Sequence, residues 1–223
     1  LGQTGRPRLF IDSAAVGDWL DLWPLGLFQG ITTNPTLLRR AGVPCTLDAL
    51  ASLVARAAEL GCQEIQAQAW GASGAELLAC GKALLSLSPE RVVVKLPLTE
   101  AAFPAAKTLL ASGAKVTLTA CYATSQVLAA AALGCTYVAP YLGRIKEGGG
   151  DGIAEVLAMQ GCLRGLGCPT RLLVASLRSP EELAPLAAAG VDSFTLSPAL
   201  ARQLWSHRAT ADAVARFERD ASG

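Results

Sequence analysis

Short runs rich in β-branched and apolar residues alternate eight times with segments of helical period along this chain of 223 residues. No other feature limits its possible folds as severely. The first run is RLFID, ending at Asp12, and the second is FQGIT, ending at Thr32. EIQAQAW, RVVVKLP, KVTLTACY, CTYVAPYLGRI, TRLLVAS and DSFTL follow. Between them lie Ala/Leu-rich stretches with apolar residues near i, i+3 and i+4. Their ends carry helix signals. Ser13 stands where a cap is wanted, Asn34–Pro35 opens a helix that Gly42 closes, and Ser179–Pro180 opens one that Gly190 closes. A further helix is expected from about Ala72 to Leu87. Divided among eight units, 223 residues leave about 28 each, which suits compact βα units.

The runs VVVK, LLVAS and YVAP are apolar nearly throughout, as parallel strands buried on both faces are. Eight such units predict an α/β fold, a (β/α)8 TIM barrel, as a single domain over residues 8–223. TADAVARFERD adds an extra C-terminal helix. An open doubly wound sheet alternates in the same way. However, no GxGxxG follows the first run and no GxxxxGK[ST] occurs, which counts against its nucleotide-binding forms. Residues 1–7 are set aside as a flexible, processed or appended N-terminus. The opening LGQTGRPR lacks the apolar core of a signal peptide.

Composition narrows the function. Hydrophobic residues make up 52% and charged residues 17%, too apolar for disorder and ample for a core. Nineteen basic against eighteen acidic side chains leave +1, so no global field favours nucleic acid or an anionic membrane. Gly, Pro or charge breaks every apolar stretch well before 18 residues, so no membrane helix is expected. Seven Cys at irregular spacing, an odd number without CxxC, fit neither a disulfide framework nor a zinc ribbon. They read as small buried thiols of a reducing compartment, and a cytoplasmic location is expected. The single histidine, His207, reads as a solvated helix-end residue. It leaves no basis for the usual zinc site or a His-based nucleophile relay. No metal and no cofactor are expected, and chemistry must come from Lys, Asp/Glu, Tyr, Ser/Thr or amide groups.

In such a barrel catalytic groups sit at the C-terminal ends of strands, and polar residues do end these runs. Asp12 ends the first, and Thr32, Thr33 and Asn34 the second. Gln68 lies late in the third, Lys95 ends the fourth and Thr119 the fifth. Tyr141 and Arg144 follow the sixth, Ser176 and Arg178 the seventh, and Thr195 and Ser197 end the eighth. Of five lysines, only Lys95 directly follows three valines. Burial there favours the neutral amine. A free lysine, with a pKa of about 10.4, is neutral in roughly one molecule in 2,500 at pH 7. Lowering that pKa by about three units costs ~4 kcal/mol and yields a nucleophile of the kind that forms Schiff bases. The plain alternative is an ion pair with Asp12 or Glu64.

The other positions carry two readings each. Asp12 is a structural partner or a base for a substrate hydroxyl. Asn34 is a helix cap or a substrate contact. Tyr141 is core or catalytic. Arg144 with Ser176 grips a phosphate, or is an exposed loop arginine. The glycine run 148–150 is a flexible loop and a weak phosphate signal.

Four motifs in order, FIDSA, GITTNPTLL, VVVKLPLT and YVAPYLGRI, resemble the transaldolase family from about Leu9 to Asp220. AQAW, TACY, VAPYLGRI and DAVARFERD are most similar to its fructose-6-phosphate aldolase branch. The resemblance implies a (β/α)8 barrel and metal-free class I aldol chemistry. By it, Lys95 is the Schiff-base lysine, and Asp12 and Asn34 hold or deprotonate substrate hydroxyls. Thr32 belongs to the same TTNP substrate-binding motif. Tyr141 matches the position that is Tyr in the aldolases and Phe in typical transaldolases, and Gln68 one that is Gln in the former and Glu in the latter. Thr119 completes the group around a catalytic water, and Arg144 and Ser176 match a phosphate-binding pair. Gly143 departs from the Asn of close aldolase relatives, TTNPT from their TTNPS, and Leu177–Arg178 from the residues usual there.

The expected activity is aldol cleavage or formation of fructose 6-phosphate. The alternatives are transfer of a dihydroxyacetone unit between sugar phosphates and a barrel that binds sugar phosphate without turnover. The expected partners are small-molecule sugar phosphates, not nucleic acid or membrane. A homo-oligomer, pentamer or decamer, is implied, with the C-terminal helix reaching a neighbour.

Overall fold

Each helical segment returns the chain along the outside of the sheet, so successive strands start from the same edge and pair in parallel. In the computed structural model, which describes residues 6–223, the strands are β1 (Arg8–Asp12), β2 (Gly30–Thr32), β3 (Glu64–Gln68), β4 (Val92–Pro97), β5 (Val116–Cys121), β6 (Tyr137–Pro140), β7 (Arg171–Val174) and β8 (Ser193–Leu196). β8 pairs back onto β1 and closes the barrel, so the open-sheet alternative does not hold. The architecture is a single-domain (β/α)8 barrel. The N-terminus set aside in the sequence falls largely on residues 1–5, outside the described residues.

Helices pack on the outside through their apolar stripes. The helix Leu47–Glu59 buries Leu50, Leu53, Val54 and Ala57, and Gly74–Leu87 buries Leu77 and Leu84. Inside the barrel a separate apolar layer is made by Phe10, Val93, Tyr137, Ala139 and Leu173. Phe10 meets Tyr137 edge to face, with ring centroids 6.2 Å apart. Gly30 makes room for it: a β-carbon there would lie 2.7 Å from the Phe10 ring and 2.3 Å from the Glu64 carbonyl oxygen.

Below this layer, toward the N-terminal ends of the strands, a buried polar chain closes the barrel. Thr117 donates to Gln66 Oε1 at 2.8 Å, and Gln66 donates to Glu64 Oε1 at 2.8 Å. Tyr137 donates to Glu64 Oε2 at 3.3 Å, and Arg8 donates to the Tyr137 oxygen at 2.9 Å. Glu64 is thus satisfied at the end of the barrel opposite the expected site, with Lys115 at 3.9 Å.

Several boundaries differ from the sequence reading. Ser13 does not cap the first helix, Val16–Leu22. Its hydroxyl is drawn to Asp18 at 2.5 Å, and Ala15 holds the cap position without a side-chain bond. The helix expected from Ala72 begins at Gly74, because Ser73 and Glu76 form a reciprocal capping box. Lys95 and Thr119 do not end their strands. β4 runs on to Pro97, and β5 to Cys121 through a register shift after Thr119, where Ala120 is left-handed at φ 61°. The glycine run 148–150 is a hydrogen-bonded turn, with all three amides donating to carbonyls of residues 144–146. All seven cysteines are free, and Cys45 is exposed rather than buried. His207 caps the C-terminal helix Arg208–Ser222 through its ring Nδ1. Among the described residues no helix is long and apolar enough to cross a membrane.

Candidate active site

Alternation along the strands turns every second side chain inward, and at the C-terminal rim these side chains surround a cavity of about 370 Å³. Seven of the nine residues singled out in the sequence line it: Asp12, Asn34, Lys95, Thr119, Tyr141, Arg144 and Ser176. Thr32 and Gln68 do not. Thr32 is fully buried and donates to Asp12 Oδ1 at 2.7 Å, so it stands behind the carboxylate rather than on the wall. Gln68 is half-buried on β3, directly opposite Lys95 on β4.

Lys95 is buried, at 5% exposure, among the valines of β4. Its amine donates to the Thr33 carbonyl oxygen at 3.0 Å, not to a carboxylate. Glu64, one of the two acids that could have paired with it, lies in the polar chain at the other end. Burial pushes the Lys95 pKa down, opposed in part by the Asp12 charge. Burial likewise pushes the Asp12 carboxyl up, opposed by Lys95, by the Thr32 hydroxyl and by Arg40. A cavity wall thus carries an amine biased toward its neutral form and a carboxylate biased toward accepting a proton.

Tyr141 follows β6 and reaches across to β5, where the Thr119 hydroxyl donates to its phenol oxygen at 3.0 Å. That bond occupies the oxygen and leaves the phenol hydrogen available to the cavity. Burial raises the Tyr141 pKa, which keeps that hydrogen in place at neutral pH. Tyr122 packs edge-on against the ring at 5.8 Å. Asn34 caps the helix Pro35–Arg40, accepting from the Leu37 amide at 3.0 Å, and also lines the cavity. The cap reading therefore holds, and the side chain also stands on the cavity wall.

The β6–β7 side of the rim is cationic. Arg144 and Arg178 both line the cavity and share one carboxylate: Arg144 donates to Glu147 Oε2 at 2.8 Å and Arg178 to Oε1 at 2.7 Å. The two arginines hold Glu147 below its usual range, Arg178 foremost. Ser176 sits beside them in a left-handed conformation, φ 62°. Gly143 explains the crowding: a β-carbon there would lie 2.2 Å from the Ser176 carbonyl oxygen and 3.0 Å from the Arg178 guanidinium. Its lack of a side chain is what seats Arg178.

The cavity also includes residues not proposed as site residues from the sequence, among them Arg40, Arg178 and Thr195. Arg178 stands two positions after Ser176, and that spacing was the available signal. Arg40 looks like an ordinary cation at a helix C-terminus, and Thr195 carries no signal beyond its place at the end of the eighth run. Among the described residues no group of three or more His, Cys, Asp or Glu could hold a metal ion.

A family model described as transaldolase/fructose-6-phosphate aldolase matches residues 9–222. The chain is 32% identical over 213 residues to a probable transaldolase of Lactiplantibacillus plantarum, covering 96% of this chain and 95% of that one. It is 33% identical over 214 residues to a probable transaldolase of Sorangium cellulosum, covering 96% of each. A probable transaldolase of Rhodospirillum centenum is 32% identical over 216 residues, 96% of this chain and 90% of the relative. An amine and a carboxylate facing one cavity beside two arginines, in a barrel matched along almost its whole length, place the chain among the enzymes of the transaldolase/fructose-6-phosphate aldolase family.

Proposed function

We propose that this chain is a class I aldolase that cleaves and forms fructose 6-phosphate, with Lys95 as the Schiff-base lysine. The observation that carries the reading is the Lys95 amine, buried, hydrogen-bonded to a carbonyl and facing a cavity. The neutral amine attacks the C2 carbonyl of the ketose, and loss of water gives an iminium. Asp12 takes the proton of the C4 hydroxyl. As C4 becomes a carbonyl, the C3–C4 electron pair moves into the iminium, which becomes an enamine. Glyceraldehyde 3-phosphate leaves with its phosphate in the grip of Arg144, Ser176 and Arg178. Asn34 holds a substrate hydroxyl.

The fate of the enamine separates two activities. Protonation of its C3 by Tyr141, followed by hydrolysis, releases dihydroxyacetone and completes the aldolase cycle. The free phenol hydrogen, with Thr119 on the oxygen, supports this outcome. Gln68, beside Lys95 in register, is assigned with Thr119 to the water of that step. If protonation is slow, the enamine waits for an aldose acceptor, and the enzyme is a transaldolase. The names of the relatives favour that second reading. Fructose 6-phosphate supplied without an acceptor distinguishes the two. Sustained release of dihydroxyacetone supports the aldolase, and release only with erythrose 4-phosphate present assigns the transaldolase.

We also propose a homo-oligomer in the cytoplasm. The helix Arg208–Ser222 buries none of its residues in the monomer and exposes Val214 and Phe217, a stripe suited to a second copy.

A further inference from the structure

Strand β1 lies between β2 and β8; its last residue, Asp12, pairs with Thr32 on β2, while on β8 Thr195 pairs with Phe10, two residues before Asp12. On β2 the direct partner of Asp12 is Thr32, whose Oγ1 is 2.7 Å from Asp12 Oδ1. On β8, Thr195 Oγ1 approaches the same Thr32 oxygen at 2.5 Å. Thr32 is fully buried, and Thr195 is 4% exposed with its side chain on the cavity wall. The three residues form one hydrogen-bonded line from the carboxylate through β2 to β8.

The direction of that line follows from counting hydrogens. A threonine hydroxyl has one. An ionised Asp12 can only accept, so the Thr32 hydrogen is committed to Oδ1. The short contact behind it is then the Thr195 hydrogen donated to the Thr32 oxygen. Each bond polarises the next, which strengthens the bond that reaches the carboxylate. If Asp12 is protonated on Oδ1, the same atoms hold with the order reversed: Asp12 donates to Thr32 and Thr32 to Thr195. Asp12 Oδ2 has no hydrogen bond among the described residues, so the line fixes one oxygen and leaves the other for a substrate hydroxyl.

We propose that Thr195 is a positioning residue for Asp12, acting through Thr32 to orient the carboxylate and favour its ionised form. The proposal rests on the aldol reading of the site and adds a member to it. The charged or titratable groups facing Asp12 are Lys95 from β4, Arg40 from the helix after β2 and Tyr141 after β6, while β8 contributes the neutral Thr195. Burial disfavours the Asp12 charge, so a donor line opposes that penalty where no water need do so.

Thr195→Val keeps the side-chain shape and removes the hydrogen. Thr195→Ser keeps the hydrogen. The acid limb of the kcat/KM profile is expected to move up by about half a pH unit to one unit in the valine variant, the shift equivalent to one lost hydrogen bond. It is expected to return in the serine variant. Thr195→Ala replaces the valine variant if melting shows that valine is not accommodated. A wild-type acid limb with only KM raised would mean that Thr195 is no more than cavity wall, and would overturn the proposal. A second readout needs no turnover: carboxyl carbon NMR of aspartate-labelled protein, with the Asp12 signal identified by its loss in Asp12→Asn. Its titration midpoint is expected to rise in Thr195→Val and not in Thr195→Ser, and an unmoved midpoint also contradicts the proposal. If wild-type protein forms no Schiff base with dihydroxyacetone, the aldol reading fails, while the NMR midpoint still decides the role of Thr195.

Discussion

The amine of Lys95 on β4 donates a 3.0 Å hydrogen bond to the carbonyl oxygen of Thr33, the residue that follows β2. The contact spans the barrel rim from one strand to another two places away. It holds the nitrogen at the cavity with a neutral acceptor, so no ion pair must be broken before the amine reacts. An amine depressed by burial sheds its proton at lower pH than an exposed lysine, whose ordinary value is 10.5. The rate of adduct formation with dihydroxyacetone should therefore rise with pH and reach half its plateau below that value. Rapid-quench trapping across a pH series measures it, and a midpoint at the ordinary lysine value would contradict burial as the cause.

Removing the Tyr141 phenol should separate cleavage from transfer. Tyr141→Phe is expected to slow acceptor-free release of dihydroxyacetone by about 10²-fold or more, the usual worth of a placed proton donor. Transfer to erythrose 4-phosphate should persist. Thr119→Val, which leaves the phenol without its partner, should act in the same direction but less strongly. Paired assays with and without the acceptor test both variants. Equal loss of the two activities would assign Tyr141 to packing.

Gly143 tests the phosphate grip without touching the amine. In Gly143→Asn the new β-carbon collides with the Ser176 carbonyl and displaces Arg178. KM for fructose 6-phosphate should rise by about tenfold or more, equivalent to losing one charge-assisted hydrogen bond. Trapping of unphosphorylated dihydroxyacetone on Lys95 should be unchanged. Loss of both would show that the substitution disturbs the barrel rather than the anion site.

At the opposite end, Glu64→Leu should cost stability and spare chemistry. It leaves the Gln66 amide and the Tyr137 hydroxyl without their acceptor in the barrel interior. About 2–4 kcal/mol is expected from the stranded donors. Chemical denaturation measures the loss, and activity per folded molecule should match the parent.

The exposed stripe on the last helix can be tested in solution. Phe217→Asp places a charge on a side chain that is 61% exposed in the monomer, so monomer stability should change little. Sedimentation velocity should show the assembly shifting toward smaller species. An unchanged sedimentation coefficient would remove this helix from the interface.

The barrel was legible because each of its eight units carries its own boundaries: β-branched runs, Pro or Asn at helix starts, Gly at helix ends. Lys95 stood out for a related reason, as the one lysine directly after three valines, but the residues alone left an ion pair open, and the bond to the Thr33 carbonyl is what the structure adds. What eluded the sequence was local. Lys95 was placed at the end of the fourth run, yet Pro97 of the same run pairs in register with Thr119, so β4 continues past Lys95. Nothing about alanine announces the left-handed Ala120 that makes the bulge in β5. Thr32 was read as the end of the second run and, by resemblance, as substrate-binding, but only the packing of β1 against β2 and β8 shows that it backs Asp12. Gly143 stood out as a departure from a pattern, and its reason is the Arg178 side chain, whose position depends on a contact between β6 and β7 that no single sequence displays.

The most direct test of the central claim is borohydride reduction in the presence of dihydroxyacetone, followed by peptide mass spectrometry. The account predicts one reduced three-carbon adduct, on the peptide that contains Lys95, and none in Lys95→Met. An unmodified Lys95 peptide under saturating ketose, or an adduct of equal yield in Lys95→Met, would contradict it.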